Sequence, residues 1–139
     1  MKLRRATQHD ADEIVALWKR AGATASVTDR PDDVRRAAAR DEVAFVIALS
    51  DDGEARIIGS IIGTFDGWRG NIYRLAVDPA HRRRGVARAL VAEVERAFSG
   101  WGVRRITALV ERDHPWAVSF WRAAGYLLDE RMDRYVRML

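Results

Sequence analysis

Between Tyr73 and Leu90 the chain reads YRLAVDPAHRRRGVARAL. Its chemistry-bearing residues are one glycine and a run of arginines. The segment begins as an apolar strand, breaks at Asp78-Pro79, and takes on a helical pattern from Gly85. A strand, a tight loop and a helix in that order cradle phosphate. The N–H groups of the first helical turn have no intrahelical partner, and the helix dipole adds positive potential at the same point. Gly85 has no Cβ, so an anion can approach the main chain. Ala87 keeps the first turn thin, and Arg82, Arg83, Arg84 and Arg88 can add charged donors. Two familiar phosphate motifs are absent. No Lys-Ser/Thr pair follows the glycine, as a nucleotide P-loop requires, and no G-x-G-x-x-G follows the strand, as a dinucleotide site requires.

The elements around this loop follow from periodicity. Leu3–Thr7 reads as a short edge strand. After Asp10, a plausible N-cap, the apolar residues Ala11, Ile14, Val15, Leu17 and Trp18 repeat with helical spacing up to Gly22. Thr28–Arg40, with Pro31 early in the segment, is a second predicted helix. Val43–Leu49 is a continuous apolar run, predicting a buried strand. Asp51-Asp52-Gly53 turns into the strand Ala55–Phe65, and Asp66–Gly70 turns into the strand Asn71–Val77. The helix Gly85–Phe98 exits at Gly100 and Gly102, and Arg104–Val110 alternates as a strand. A strand, crossover helix and strand of this length form a parallel βαβ unit, which brings the phosphate loop and Glu111 to the same, carboxyl end of the sheet. His114–Ala124 is a last short helix with Pro115 at N1, ended by Gly125. Leu127-Leu128 and Arg134–Leu139 are predicted to close the fold as a hairpin.

The pattern Arg82-x-x-Gly85-x-Ala87 directly after V-D-P resembles the acetyl-CoA pyrophosphate loop of the GNAT superfamily of N-acetyltransferases. The element order β-α-α-β-β-β-α-β-α-β-β resembles that fold over nearly the whole chain. A second match lies in DHPWAVSFWRAAGY, residues 113–126. There Ala117, Gly125 and Tyr126 stand where the family's later motif N-x-x-A-x-x-x-Y-x-x-x-G-F/Y has its Ala, Gly and final aromatic. The resemblance implies a single domain over residues 1–139, resembling small bacterial members. It implies an α/β fold whose mixed, mostly antiparallel sheet has a central parallel βαβ pair splayed at the acetyl-CoA site.

It also implies a chemistry. Acetyl transfer to an amine needs the thioester held, its carbonyl oxygen stabilised, and the ammonium deprotonated. Carried over from the family, the backbone of Leu75, Ala76 and Val77 would bind the pantetheine arm, with an N–H near Leu75 facing the thioester oxygen. Arg82, Arg83, Arg84, Gly85, Val86, Ala87 and Arg88 would hold the pyrophosphate. Glu111 is the first candidate base, with pairing to Arg112 or another arginine as its plain alternative. His114 is a second, with helix capping as its alternative; its imidazole suits a proton acceptor. Asp66 reads as a turn residue, and Asn71 cannot take a proton. The general acid departs from the family pattern, because Trp121 stands where many relatives have Tyr. Either the thiolate then leaves unassisted, or Tyr73 or Tyr126 protonates it, with core packing the plainer role for Tyr126. Trp121 also keeps a different class of reading open, a module that binds acyl-CoA without transferring the acyl group. Trp68, Trp116 and Trp121 would either line an acceptor wall or pack.

Composition narrows the partners. The 139 residues are 48% apolar and 32% charged, with no cysteine, which excludes a disulfide framework, a thiolate nucleophile and a zinc–thiolate site. The resemblance therefore implies direct transfer in a ternary complex, with acetyl-CoA and a primary amine as partners. No apolar run reaches membrane-span length, and the simplest location is the cytoplasm. The net charge is +4, and all but two of the 24 basic residues are arginine. The Arg82–Arg84 triplet would suit nucleic-acid phosphates, but no aromatic interleaves with it and no nucleic-acid motif accompanies it. A homodimer stays open.

Overall fold

A computed structural model describes residues 1–139, which fall into two compact units, Met1–Thr107 and Ala108–Leu139. The first holds strands β1 (Lys2–Arg5), β2 (Val43–Leu49), β3 (Ile57–Phe65) and β4 (Gly70–Val77), and helices α1 (Ala11–Arg20), α2 (Pro31–Ala38) and α3 (Val86–Gly100). Strand β5 (Ile106–Ala108) follows α3, and helix α4 (Pro115–Ala123) lies in the second unit. The sheet order is β1-β2-β3-β4-β5. β1 through β4 are antiparallel neighbours, while β4 and β5 run parallel.

Strand β2 is apolar throughout because both of its faces are covered. Phe45, Ile47 and Leu49 pack with Ile14, Leu17, Trp18 and Val34 of α1 and α2. The alternate residues Ala44, Val46 and Ala48 are buried on the opposite face. That second face belongs to α3, whose Val86, Leu90, Val94 and Phe98 are buried. The sheet meets α3 through glycines. A Cβ at Gly63 would lie 2.5 Å from Val94 Cγ1, and one at Gly59 would lie 2.8 Å from Val86 Cγ1. Without those side chains the helix seats directly on β3.

Two bulges shape the sheet. Between Ala48 and Leu49 the register moves from Gly59 to Ile57, so Ile58 is an extra residue of β3. The Ile57 N–H donates to Glu13 Oε1 of α1 (2.8 Å), which satisfies a group near the irregular step. On β4, Ser60 pairs with Ala76 and Ile62 with Tyr73, so three steps on β4 oppose two on β3. This second bulge lies at Arg74-Leu75, and Arg74 has φ +52°. It resets the side-chain phase, so that Tyr73 and Ala76 share a face although they stand an odd number of residues apart.

Helix α2 begins at Pro31 rather than Thr28, because Arg30, preceding a proline, is extended (ψ 145°). Strand β5 is three residues long rather than seven. The predicted closing hairpin does not form: neither Leu127-Leu128 nor Arg134–Leu139 is a strand, and both stretches are exposed. Charged residues crowd the span between them, and Asp129 Oδ1 accepts the Arg131 N–H in a local turn. Two short apolar stretches so separated have too little shared face to hold a ladder. The parallel β4–β5 pair consequently stands at the end of the sheet rather than at its centre.

Within the second unit, α4 ends in a Schellman cap. The Tyr126 N–H donates to the Trp121 carbonyl (2.9 Å) and the Gly125 N–H to the Arg122 carbonyl (3.1 Å). Gly125 takes φ +92°, and the rings of Trp121 and Tyr126 meet edge-on at 4.8 Å, as the motif's apolar contact requires.

Candidate active site

The phosphate loop is built from the end of β4. Asp78 N–H donates to the Ile58 carbonyl (2.8 Å), Asp78 Oδ1 accepts the Ala80 N–H (2.9 Å), and Arg20 Nε donates to Asp78 Oδ2 (3.0 Å). Burial alone would raise the pKa of this carboxyl, but the Ala80 N–H and the Arg20 guanidinium outweigh it and hold Asp78 below the ordinary carboxylate range. The V-D-P triplet therefore anchors the loop to α1.

Beyond it, the backbone turns tightly. Arg83 (φ +62°) and Gly85 (φ +81°) both adopt left-handed conformations, which glycine takes without strain and arginine does not. Gly85 is the N-cap of α3 and has no side chain to close the helix end. The first bond of α3 runs from the Ala89 N–H to the Gly85 carbonyl (3.0 Å), leaving the N–H groups of Val86, Ala87 and Arg88 without an intrahelical acceptor. α1 and α2 carry acids in their first turns, Asp12 and Glu13 in one and Asp32 and Asp33 in the other, whereas α3 carries none. This helix start is electropositive, and a Cβ on Gly85 would meet nothing within 4 Å. The space and charge fit a pyrophosphate.

The four loop arginines divide. Arg83, Arg84 and Arg88 are exposed. Arg82 instead turns inward, where Nη2 donates to the carbonyl of Ala21 at the end of α1 (2.9 Å). It closes that helix terminus and ties the loop to it.

Leu75, Ala76 and Val77 lie at and after the β4 bulge. Ala76 and Val77 pair with β3 on one edge. β5 starts where Gly70 N–H donates to the Arg105 carbonyl (2.9 Å), and with three residues it covers only the first half of eight-residue β4 on the other edge. The carboxyl half of β4 thus keeps an edge without a strand partner. Tyr73 sits just before the bulge with 37% of its surface exposed.

The two candidate bases are paired with each other. His114 Nε2 lies 2.5 Å from Glu111 Oε2, and both side chains are about one-third exposed, at 31% and 38%. His114 stands at the α4 N-cap, but its side chain makes no capping bond. The Glu111 and His114 side chains thus form an acid–imidazole pair. Asp66 is a turn residue: Oδ1 accepts the N–H groups of Trp68 (2.8 Å) and Arg69 (2.7 Å), and these hold its pKa down. Trp121 is buried, Trp68 is 72% exposed with the Arg69 guanidinium stacked 4.0 Å from its ring, and the Trp116 ring lies 5.7 Å from that of His114.

Sequence reasoning passed over Arg74, Asp29, Trp18 and Ser60 as site residues. Arg74 Nη2 donates to both oxygens of Asp29 (2.7 and 2.8 Å) and to the Thr24 carbonyl (3.0 Å). Trp18 Nε1 donates to the buried Ser60 Oγ (2.9 Å). These partners stand far apart along the chain, and only the tertiary structure brings them together.

The sheet is thus bulged at its fourth strand and followed by an uncapped, electropositive helix start that suits an anion. The match to the Acetyltransferase (GNAT) family model covers residues 11–126, and the chain belongs to that family. It is an acetyltransferase, and the family's acyl donor is acetyl-CoA. An acetyltransferase of Photorhabdus laumondii subsp. laumondii is 32% identical over 114 residues, covering 82% of this chain and 78% of that relative. The aminoglycoside 6'-N-acetyltransferase AAC(6')-IG of Acinetobacter haemolyticus has the same fold, with TM-score 0.80 and 18% identity over 100% of this chain and 99% of that one. PaiA N-acetyltransferase of Thermoplasma acidophilum, solved with coenzyme A, superposes with TM-score 0.83 at 15% identity, over 93% of this chain and 91% of that one.

Proposed function

We propose that this protein transfers the acetyl group of acetyl-CoA to a primary amine, on a small molecule or a protein, by direct transfer in a ternary complex. The observation that carries the reading is the start of α3, where three outward N–H groups, a left-handed Gly85 and the lack of any first-turn acid create an anion site beside a bulged strand. The aminoglycoside acetyltransferase among its structural neighbours supports an amine as acceptor.

The thioester supplies an activated acetyl group, and the chain supplies the rest. N–H groups of Gly85, Val86, Ala87 and Arg88, with the side chains of Arg83, Arg84 and Arg88, bind the pyrophosphate, while Arg82 fixes the loop to α1. The open edge of Leu75, Ala76 and Val77 receives the pantetheine amides as an added strand. The bulge frees a backbone N–H near Leu75, and a donor aimed at the oxygen that gains charge stabilises it most in the transition state. His114 takes the proton that the amine loses. With Nε2–H directed at Glu111, Nδ1 holds the accepting lone pair, and the carboxylate steadies the imidazolium. Tyr73 is the proton donor to the departing sulfur.

The test is release of free CoA thiol from acetyl-CoA in the presence of an aminoglycoside, a polyamine and a peptide with a free N-terminus, each supplied separately. Amine-dependent release with at least one of them is expected. Tight acetyl-CoA binding with no release from any amine would overturn the transfer reading.

A further inference from the structure

The Arg74–Asp29 pair is anchored from both sides in the first unit, and the reaction as outlined does not use it. Both side chains are about four-fifths buried, with 19% and 20% of their surfaces exposed. Arg74 is also one of three non-glycine residues with positive φ, a conformation that persists only where the surroundings over-determine it. Its side chain is held by Asp29 and the Thr24 carbonyl and lies over the Trp18 ring, 5.2 Å from the centroid. Its main chain is held as well, since Ser60 Oγ, itself a partner of the Trp18 indole, reaches the Arg74 carbonyl at 3.4 Å. On the other side, Asp29 organises its own loop. Its Oδ2 accepts the Ser26 N–H (2.8 Å) and its N–H donates to the Ser26 carbonyl (3.1 Å).

We infer that Asp29 and Arg74 form a positioning latch that couples the α1–α2 loop, residues 21–30, to the backbone of the β4 bulge. The inference rests on the reading above, in which that bulge presents an N–H to the thioester. With the latch closed, the strained conformation of Arg74 is held and the neighbouring Leu75 N–H is aimed. With the loop displaced, Arg74 loses its carboxylate and its carbonyl acceptor together, and the bulge can relax. Asp29 and Arg74 are therefore positioning residues. An acceptor that orders the loop would at the same time complete the donor for the thioester oxygen.

The test compares wild type with Asp29→Asn, Asp29→Glu and Arg74→Gly in the full chain, using acetyl-CoA and the best amine from the panel. Asp29→Asn should lower kcat about tenfold to 100-fold, the range for misplacing a group remote from the chemistry. The dissociation constant for CoA, which lacks the acetyl oxygen, should stay within about twofold of wild type. Asp29→Glu should recover part of the rate. Arg74→Gly accepts the left-handed φ without strain but takes the guanidinium from Asp29, so, assayed well below its melting midpoint, it should lose turnover as Asp29→Asn does. Hydrogen exchange in the Asp29→Asn variant should quicken in residues 21–30 and 73–77 together. Wild-type-like turnover in Asp29→Asn, or faster exchange in only one of the two segments, would overturn the latch while leaving the function standing. A parallel loss of CoA affinity would show a merely structural role and overturn it too. Failure of wild type to bind CoA at all would remove the reading of the site, and the latch with it.

Discussion

Gly85 meets two demands at once: a φ of +81° and an open approach to the first turn of α3. The two separate by substitution. Asparagine tolerates the left-handed region better than most residues and adds no charge, whereas aspartate sets a carboxylate where the pyrophosphate should lie. Gly85→Asn is expected to bind acetyl-CoA more weakly but measurably in calorimetry. Gly85→Asp should show no heat of binding while keeping a cooperative melt. At the dyad, Glu111→Gln should cut kcat about tenfold or more with the KM for acetyl-CoA unchanged, because the carboxylate acts on the imidazole and not on the cofactor. Activity within twofold of wild type would return Glu111 to the role of a surface acid. Both residues of this dyad stood out as candidates from their motif, one by alternation and one by its place before Pro115. Their contact did not, since a spacing of three residues outside a helix says nothing about direction.

Among the elements, α3 and β3 depend on each other through the missing side chains of Gly59 and Gly63. Gly63→Ala places a methyl 2.5 Å from Val94 Cγ1, and a branched side chain on a seated helix has no room to yield. It should destabilise the fold by about 1–3 kcal/mol, read as a lower urea midpoint at constant m-value. The link between β1 and α1 is electrostatic. Arg4 donates to both oxygens of Asp10 (2.8 and 2.9 Å), and Asp10 also accepts the Thr7 N–H (2.7 Å). The bond from Arg4, working against burial and helped by Thr7, holds the carboxyl below its ordinary value of 3.8. A depressed folded-state pKa contributes stability that is present above the unfolded value and lost as pH falls through the folded one. The stability gap between wild type and Asp10→Asn should therefore be widest near neutrality and close in the acid range below 3.8. A gap that persists unchanged in acid would contradict it. In the sequence Asp10 looked like a simple helix cap; the structure makes it the hub of a capping box and an ion pair.

At the scale of the whole molecule, the residues proposed to hold acetyl-CoA form one contiguous run across β4, its loop and α3, so binding should stabilise that stretch. Acetyl-CoA at about 100 times its dissociation constant adds about 2.7 kcal/mol, enough to raise the melting midpoint by several degrees in a protein of this size. Gly85→Asp should show no such rise. No helix is long and apolar enough to cross a membrane.

What the amino-acid order determined by itself was local and periodic. The continuous apolar run of Val43–Leu49, the turn at Asp66–Gly70 and the switch from strand to helix at Gly85 each follow from neighbours in sequence, and all three appear at those places. The conformation of the loop before α3 was legible for the same reason, because its glycine and the free amides after it are consecutive. Tertiary structure decided whatever depends on partners distant in the chain. Arg82 reached the Ala21 carbonyl across 61 positions, Arg74 joined Asp29 across 45 positions, and Leu127-Leu128 and Arg134–Leu139 stayed out of the sheet. A bulge is a mismatch between two strands and cannot be seen in one of them. That is why the bulge of β4 emerged only when β3 was paired against it.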